Sequence, residues 1–268
     1  MPQPTPTTAE LIDVLQRLRA HPPLVHCLTN GVVKNFTANA LLALGAAPAM
    51  VEHPQEAEAF AAMADALLVN VGTLGEAEEA PIRRAVPSAV TAKKPWVLDP
   101  VAVGPLAVRT ALARDLVAQR PAIIRGNASE IIALAGMQGK GRGVDSGDPA
   151  EAALDAAKAL TAQSGGVVLV TGPVDYATDG QTVCACHNGH PLLTRVTGVG
   201  CAQGAIVAAC TAVAESPLVA ALAAAVFVGV AGEVAAERAQ RPGSFQIAFL
   251  DALDALDADT LNARTRLG

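Results

Sequence analysis

Aromatic and charged residues are both scarce in this sequence. Aromatic side chains make up 3% of the residues and charged ones 16%, whereas 51% are hydrophobic and alanine dominates the apolar positions. With 268 residues, the chain suits one large α/β domain or two small ones, and it has ample material for a buried core. We therefore expect a core of closely packed helices and strands rather than one built from large rings.

An excess of positive charge is also missing. The 19 Lys and Arg residues are outnumbered by 25 Asp and Glu residues, which gives a net charge of −6. This balance argues against a nucleic-acid-binding surface and against an anionic membrane partner. Any phosphate that the protein binds must therefore be met by local donors.

The sequence shows no secretory signal and no disulfide framework. The N-terminus lacks a basic region followed by an apolar run. The five cysteines, an odd number, are scattered along the chain, which is typical of free thiols in a reducing compartment. Residues 218–232, the most apolar stretch, are too few for a membrane span and predict a buried helix. We expect a soluble, cytoplasmic protein.

Several familiar catalytic motifs are absent. There is no Walker A motif, no protein-kinase catalytic loop, no Gly-x-Ser-x-Gly elbow and no dinucleotide fingerprint after the first predicted strand. Residues 136–147 are glycine-rich, but they follow a helical pattern and lack the Lys-Ser/Thr ending of a P-loop, so we interpret them as a mobile loop. Any ATP chemistry must use another phosphate cradle.

A cluster of cysteine and histidine near residue 186 superficially suggests a metal site. Strand alternation, however, places Cys184 and Cys186 on one face and His187 on the other. No second pair stands at zinc-finger spacing, even with His190 included. We interpret this cluster as structural.

Short apolar runs alternate with longer amphipathic ones along the chain. The predicted strands span residues 24–28, 48–51, 67–71, 96–99, 122–125 and 167–171. The predicted helices span residues 8–19, 33–44, 76–91, 106–119, 129–135 and 150–162. This rhythm predicts a single α/β domain over residues 1–268, with a central, mainly parallel sheet flanked by helices on both faces.

The rhythm changes after residue 171. Short runs at residues 175–177, 182–187 and 192–196 are separated by the turn dipeptides Asp-Gly and Asn-Gly, which predicts an antiparallel meander at the sheet edge. From Cys201 onward the pattern is wholly helical.

Polar residues follow nearly every predicted strand. In open α/β sheets, ligands bind at the carboxyl ends of the strands, so this clustering indicates a ligand site. The residues concerned are His26, Thr29, Asn30, Asn70, Gly72, Asp99, Arg125, Asn127, Thr171 and Gly172.

Three of these segments have both a functional and a structural interpretation. The TGVGC segment ending at Cys201 either binds an anion at a helix N-terminus, where the dipole lowers a thiol pKa, or is a glycine-rich turn with a buried cysteine. Asp99 either holds Mg²⁺ or forms an Asx turn. The guanidinium of Arg125 offers paired hydrogen-bond donors to a phosphate. Asn127 and Glu130 also fit a capping box at a helix N-terminus, which is a structural interpretation of the same segment.

Taken together, the sequence resembles the hydroxyethylthiazole kinase family of the ribokinase-like superfamily. The resemblance runs in order from about residue 11 to residue 250. The TN-VV, RGN-E and TG-GC combination carries it, whereas the TG-G turn alone indicates only the superfamily. The matching stretches are PLVHCLTNGVV (23–33), ANALLALGAAPAM (38–50), LLVNVGTL (67–74), WVLDPVAVG (96–104), IRGNASE (124–130), residues 143–146, residues 170–175 with 179–180, and VTGVGC (196–201).

The resemblance implies a role for each matching residue. It implies a ribokinase-like fold and transfer of phosphate from MgATP to the hydroxyl of 4-methyl-5-(2-hydroxyethyl)thiazole. Val199 stands where threonine is often found, which affects only a hydroxyl contact there. The implied contacts are Arg125 and Thr171 to ATP, Asp99 and Glu130 to Mg²⁺, Met50, Gly198 and Asn30 to the thiazole, and Cys201 as catalytic base.

The family resemblance further implies a homotrimer whose active sites lie between subunits, with the thiazole pocket drawing on the neighbour's N-terminal segments. Rivals on the same scaffold are a hydroxymethylpyrimidine kinase and the ATP-dependent NAD(P)H-hydrate dehydratase. Both are expected to have aspartate at position 201, so Cys201 weighs against them. A non-catalytic ligand-binding protein is the rival from another class, and it would not need Asp99, Arg125, Glu130 and Cys201 together.

Overall fold

A computed structural model describes residues 5–137 and 153–268. Within them an eight-stranded sheet has the order β2-β1-β3-β4-β5-β6-β7-β8. Neighbouring strands from β2 to β6 are parallel, and β7 and β8 run antiparallel at one edge. The strands are β1 (Leu24–Leu28), β2 (Ala47–Ala49), β3 (Ala66–Asn70), β4 (Trp96–Asp99), β5 (Ile123–Asn127), β6 (Val167–Thr171), β7 (Asp175–Thr178) and β8 (Val183–Cys186).

Helices cover both faces of this sheet, as the sequence predicts. On one face α1, α2 and α8 to α11 share a hydrophobic cluster, and on the other face α3 to α7 share a second one. The helices are α1 (Thr8–Ala20), α2 (Lys34–Leu44), α3 (Pro54–Met63), α4 (Glu76–Thr91), α5 (Ala107–Val117), α6 (Ala128–Leu134), α7 (Leu154–Ser164), α8 (Val199–Val213), α9 (Pro217–Arg238), α10 (Pro242–Asp254) and α11 (Ala258–Arg264).

The apolar helix α9 is the one described helix that is long and apolar enough to span a membrane. Of its most apolar window, 89% is buried inside the protein. It packs among α1, α8 and α10, and alanine or glycine occupies 10 of its 17 buried positions, so neighbouring helices approach closely. The prediction of a buried helix at residues 218–232 is confirmed.

Two parts of the chain differ from the sequence prediction. Helix α3 was not predicted, and residues 192–196, predicted as a third meander strand, lie instead in a 3₁₀ helix at Pro191–Arg195. Pro191 occupies the first turn of that helix, where its fixed φ is favourable, and the side chain of His190 accepts a hydrogen bond from the amide of Leu192. The edge of β8 is paired instead with the C-terminal residues, because the amides of Ala185 and Gly268 each donate to the other's carbonyl oxygen.

The predicted loop at residues 136–147 lies outside the described residues from position 138 onward, as do residues 143–146 and the first residues of the predicted helix 150–162. The predicted faces of the cysteine and histidine cluster are confirmed, since Cys184 and Cys186 are buried and His187 is exposed. Cys184 and Cys186 are free and fully buried, and no group of three or more His, Cys, Asp or Glu side chains among the described residues is placed to hold a metal ion.

Candidate active site

The carboxyl ends of β1, β3, β4 and β5 bring the predicted polar residues to one edge of the sheet. Asn70 ends β3 and pairs with Asp99 at the end of β4. Asn127 ends β5 and pairs with Thr171 at the end of β6. Asn30 follows β1 by two residues, and Met50 directly follows β2. Parallel strands thus gather residues that are distant in the sequence.

Helix α8 covers this edge, and its N-terminus carries no side-chain cap. Gly198 is the residue before the helix and has a φ of 99°, a left-handed conformation that glycine adopts without strain. A Cβ atom at this position would also lie 3.2 Å from Phe36 and 3.3 Å from Val33. The amides of the first helical turn, including those of Gly200 and Cys201, have no acceptor within the helix and are available to an anion.

Arg125 lies directly beneath this turn. It is the third residue of β5 rather than a residue after the strand, because β5 continues through Asn127. A Cβ atom on Gly200 would be 3.3 Å from one terminal guanidinium nitrogen and 3.5 Å from the other. Arg125 is 8% exposed, so a positive charge is held almost out of water under a helix N-terminus. This arrangement is suited to phosphate.

Asp99 is fully buried and its two oxygens are unequally satisfied. Oδ2 accepts a hydrogen bond of 2.7 Å from the Asn70 side chain, whereas Oδ1 has no hydrogen-bond partner and stands 3.6 Å from a guanidinium nitrogen of Arg125. The Asx-turn interpretation is therefore wrong, since the carboxylate bonds a side chain instead of the following turn. Burial, only partly opposed by the Arg125 charge, raises the pKa of Asp99 to about 7.

Glu130 confirms the capping interpretation of the RGN-E segment. Its Oε2 accepts from the Asn127 amide, and Asn127 Oδ1 accepts from the Glu130 amide, which completes a capping box on α6. Its other oxygen accepts a 2.9 Å hydrogen bond from the amide of Ala102, in the segment after β4. Glu130 thus joins the two segments that flank the site.

Cys201 lies in the first turn of α8, and the Asn30 side chain donates to its sulfur at 3.4 Å. Asn30 also donates to Asn70, whose amide donates to Asp99, so a row of side chains connects the thiol to the carboxylate. Burial first, and the charge of Asp99 second, raise the pKa of the Cys201 thiol to about 11. The expectation of a lowered pKa from the helix dipole is wrong, because burial outweighs it.

Asn70 and Gly72 lie at the end of a predicted strand, but the sequence indicates no role for either residue. Asn70 bridges Asn30 and Asp99, and its Oδ1 also accepts from the amide of Gly72. A Cβ atom on Gly72 would stand 2.9 Å from the Asn30 amide nitrogen, so only glycine leaves room for this pair.

Gln203 was missed entirely. Its carbonyl oxygen accepts two hydrogen bonds from Arg125, of 3.2 and 2.8 Å. The only sequence signal was its polarity, since glutamine is the one side chain with a hydrogen-bonding group among the apolar residues of 202–209.

Comparison with known proteins gives a consistent picture. The model of the hydroxyethylthiazole kinase family matches residues 15–259. A relative from Granulibacter bethesdensis, named hydroxyethylthiazole kinase, is 55% identical over 97% of this chain and 94% of its own length. One of the same name from Klebsiella pneumoniae is 59% identical over 88% of this chain and 91% of its own length.

Solved structures agree on the fold. A hydroxyethylthiazole kinase protein from Pyrococcus horikoshii OT3 has a TM-score of 0.89 at 38% identity and covers 96% of this chain and 98% of its own. A pyridoxal kinase from Staphylococcus aureus, solved with AMP-PCP, has a TM-score of 0.61 at 19% identity, with 80% and 89% covered, and bears on the fold alone. The ribokinase-like fold is confirmed, and this chain belongs to the hydroxyethylthiazole kinase family.

Proposed function

We propose that this chain transfers the γ-phosphate of ATP to the hydroxyl of 4-methyl-5-(2-hydroxyethyl)thiazole. The observation that carries the proposal is the uncapped N-terminal turn of α8, with Arg125 beneath it and Cys201 in contact with Asn30. An uncapped helix N-terminus suited to an anion thus lies beside a thiol that we assign to the substrate hydroxyl. The relatives' name, hydroxyethylthiazole kinase, supplies the acceptor. Neither rival enzyme on this scaffold is favoured by any feature of the site.

The donor side of the site is assigned to Arg125 and Thr171, which would contact ATP. Phosphoryl transfer passes through a loose transition state, so positioning and charge neutralisation carry most of the catalysis. The amides of the α8 first turn and the Arg125 guanidinium converge where transferring phosphoryl oxygens would lie. Arg125 is 8% exposed, and low exposure to water strengthens its interaction with a charged phosphate.

The residues also fit a magnesium ion bound together with ATP. Asp99 Oδ1 is a buried carboxylate oxygen without a hydrogen-bond partner, which is the donor that a hard cation prefers. Both oxygens of Glu130 already accept backbone hydrogen bonds, so we assign it to the site through water. Mg²⁺ usually keeps several waters and takes one or two carboxylates plus phosphates, and it would neutralise phosphate charge here.

On the acceptor side, Met50, Gly198 and Asn30 are assigned to the thiazole. Cys201 is assigned as the base that receives the hydroxyl proton. Because its pKa is raised to about 11, Cys201 is a thiol in most molecules at neutral pH, and in that form it can only orient the hydroxyl. In the small fraction of molecules that hold a thiolate, the sulfur accepts the hydroxyl proton late in the transfer and becomes a thiol. The same small fraction disfavours a covalent phosphocysteine, since the thiolate is also the nucleophilic form. We further propose that the enzyme works as a cytoplasmic homotrimer.

A coupled assay of ADP formation tests this function. The purified chain is expected to consume ATP only when the thiazole alcohol and Mg²⁺ are both present. Hydroxymethylpyrimidine and other small alcohols serve as alternative acceptors at the same concentration. Phosphate transfer to the pyrimidine alcohol and never to the thiazole would overturn the assignment.

A further inference from the structure

Arg125 owes its position to a chain of contacts that the proposed reaction does not use. Its Nε and one terminal nitrogen both donate to the carbonyl oxygen of Gln203, at 3.2 and 2.8 Å. The amide nitrogen of Gln203 donates in turn to Asp175 Oδ2 at 3.2 Å. The other oxygen of Asp175 accepts from the amide of Gly172 at 2.9 Å.

The orientation of the Gln203 amide follows from its two neighbours. A guanidinium has only donors, so it can be met only by the carbonyl end of the amide. Both oxygens of Asp175 accept hydrogen bonds, so that side chain can be met only by the amino end. Burial raises the pKa of Asp175 to about 6, which still leaves it ionised at pH 7 and above. If the Gln203 amide were flipped, its amino group would face the donors of Arg125 and its carbonyl oxygen would face an acceptor oxygen of Asp175.

Gln203 is 5% exposed, so its contacts exchange little with water. It lies on α8, two residues after Cys201, and therefore links Arg125 to the same helix whose N-terminus forms the anion site. The guanidinium is held there by a neutral carbonyl, whereas a carboxylate in that position would cancel its charge. The ion pair with Asp99, at 3.6 Å, offsets only part of the charge, because Asp99 is itself partly protonated near neutral pH. The remaining positive charge is available to a phosphate.

We propose that Gln203 is a positioning residue for ATP: it holds the Arg125 guanidinium beneath the first turn of α8, and Asp175 fixes the Gln203 amide. This inference rests on the proposed function for the identity of the nucleotide. It assigns nothing to the thiazole pocket, because Gln203 bonds Arg125 and Asp175, whereas Asn30 bonds Cys201.

The test is Gln203→Met, which keeps the size of the side chain and removes both polar ends. Binding of MgATP to the full chain is measured by calorimetry without thiazole, and steady-state kinetics are measured separately for each substrate. We expect the Kd for MgATP to rise roughly tenfold, as for the loss of hydrogen bonds to a charged group, while the KM for the thiazole at saturating ATP stays within about twofold. Thr211→Val, farther along α8, is the control and is expected to leave both values unchanged.

A double-mutant cycle distinguishes positioning from simple packing. In an Arg125→Ala background, Gln203→Met is expected to weaken MgATP binding no further, because the residue it positions is gone. An unchanged Kd in the single variant, or fully additive losses in the cycle, would overturn the proposal. The binding of MgATP is measured without the thiazole. A wild-type enzyme that binds MgATP but never phosphorylates the thiazole would therefore refute the proposed function and leave this test valid.

Discussion

At the residue scale, the protonation state of Cys201 governs what the thiol can do. With a pKa raised to about 11, it is a thiol at neutral pH and a thiolate only in a small fraction of molecules. Orienting the substrate hydroxyl requires no ionisation, whereas accepting its proton and attacking phosphorus both require the thiolate. The choice between base and nucleophile is therefore decided by substitution of the residue and not by its pKa.

Substitution of Cys201 tests that choice. Cys201→Ala is expected to fold and to bind ATP yet lose roughly 10²- to 10⁴-fold in single-turnover rate. Cys201→Asp supplies a carboxylate, which is ionised in a larger fraction of molecules at neutral pH than the thiol. The helix N-terminus also favours its negative charge. It is expected to retain substantial activity, with a rate that rises less between pH 7 and 9 than the wild-type rate. A trapped phosphocysteine, or an aspartate variant as inactive as the alanine one, would contradict the base assignment.

Asp99 permits a prediction about stability and pH. Its folded pKa of about 7 lies above its ordinary value of 3.8, mainly because it is buried. A carboxyl group whose pKa is raised by folding stabilises the folded state most at pH values below its ordinary pKa. That contribution is lost as the pH rises to the folded pKa of about 7. Asp99→Asn removes the titration, so the melting temperature of the variant relative to the wild type is expected to increase from pH 5.5 to about 7 and to level off between there and pH 8.5.

The melts are made without metal or nucleotide, because either would bind to the wild-type carboxylate and shift its pKa. All other titrating groups occur in both proteins and largely cancel in the difference. A difference in melting temperature that stayed constant or shrank with pH would show that Asp99 is ionised throughout this range.

At the element scale, α8 approaches the sheet closely because a glycine faces Asp99. A Cβ atom on Gly204 would lie 3.0 Å from Asp99 Oδ2 and 3.4 Å from a methyl group of Leu68. Alanine here would therefore displace the carboxylate by a few tenths of an ångström, although it favours the helix itself by roughly 0.5–1 kcal/mol.

Gly204→Ala is accordingly expected to lower turnover by roughly tenfold or more, as small misplacements of catalytic groups do, with stability changed by less than about 1 kcal/mol. Enzyme assay and chemical denaturation measure the two effects on the same sample. Gly243→Ala in α10 is the matched control, because a Cβ atom there would meet nothing within 4 Å. A Gly204→Ala enzyme with normal turnover would show that Asp99 tolerates displacement.

Much of the element pattern could be predicted from the sequence, because apolar runs and caps are local signals. The bounds of β1, β4, β6 and α4 agree with prediction to the residue. Helix α3 was missed because its apolar positions are mostly alanine, so its periodicity is weak. The pairing of β8 with residues near 267 joins two distant parts of the chain, and no local pattern indicates it.

The site shows the same division between local and distant information. Family motifs and strand ends indicated Asn30, Asp99, Arg125 and Cys201, because these residues lie beside recognisable turns. Gln203 lies inside an apolar helix, and its partners Arg125 and Asp175 are 78 and 28 residues away in the sequence. The raised pKa of Cys201 likewise depends on burial by other segments, which the sequence of its own helix does not contain.

At the scale of the whole molecule, a single domain over residues 1–268 and a homotrimer remain proposals. The N-terminal half exposes several large apolar side chains: Val32 is 68% exposed, Leu42 58% and Met63 65%. Side chains of this kind mark an interface only where they form one contiguous patch, so the trimer rests on the family resemblance. Asn30 and Cys201, by contrast, contact each other within one chain, so any contribution from a neighbour must come from other residues.

Subunit mixing tests shared active sites, with Met50 as the candidate contribution from a neighbour. Met50→Asp and Cys201→Ala are each expected to be inactive alone. If Met50 serves the adjacent subunit's site, hybrids formed after mild dissociation contain sites with both residues intact. Random mixing of equal amounts is expected to restore about a quarter of wild-type activity. Sedimentation is expected to give three times the chain mass of 27.1 kDa. An active monomer would refute the trimer, and a trimer without restored activity would place Met50 in its own subunit's site.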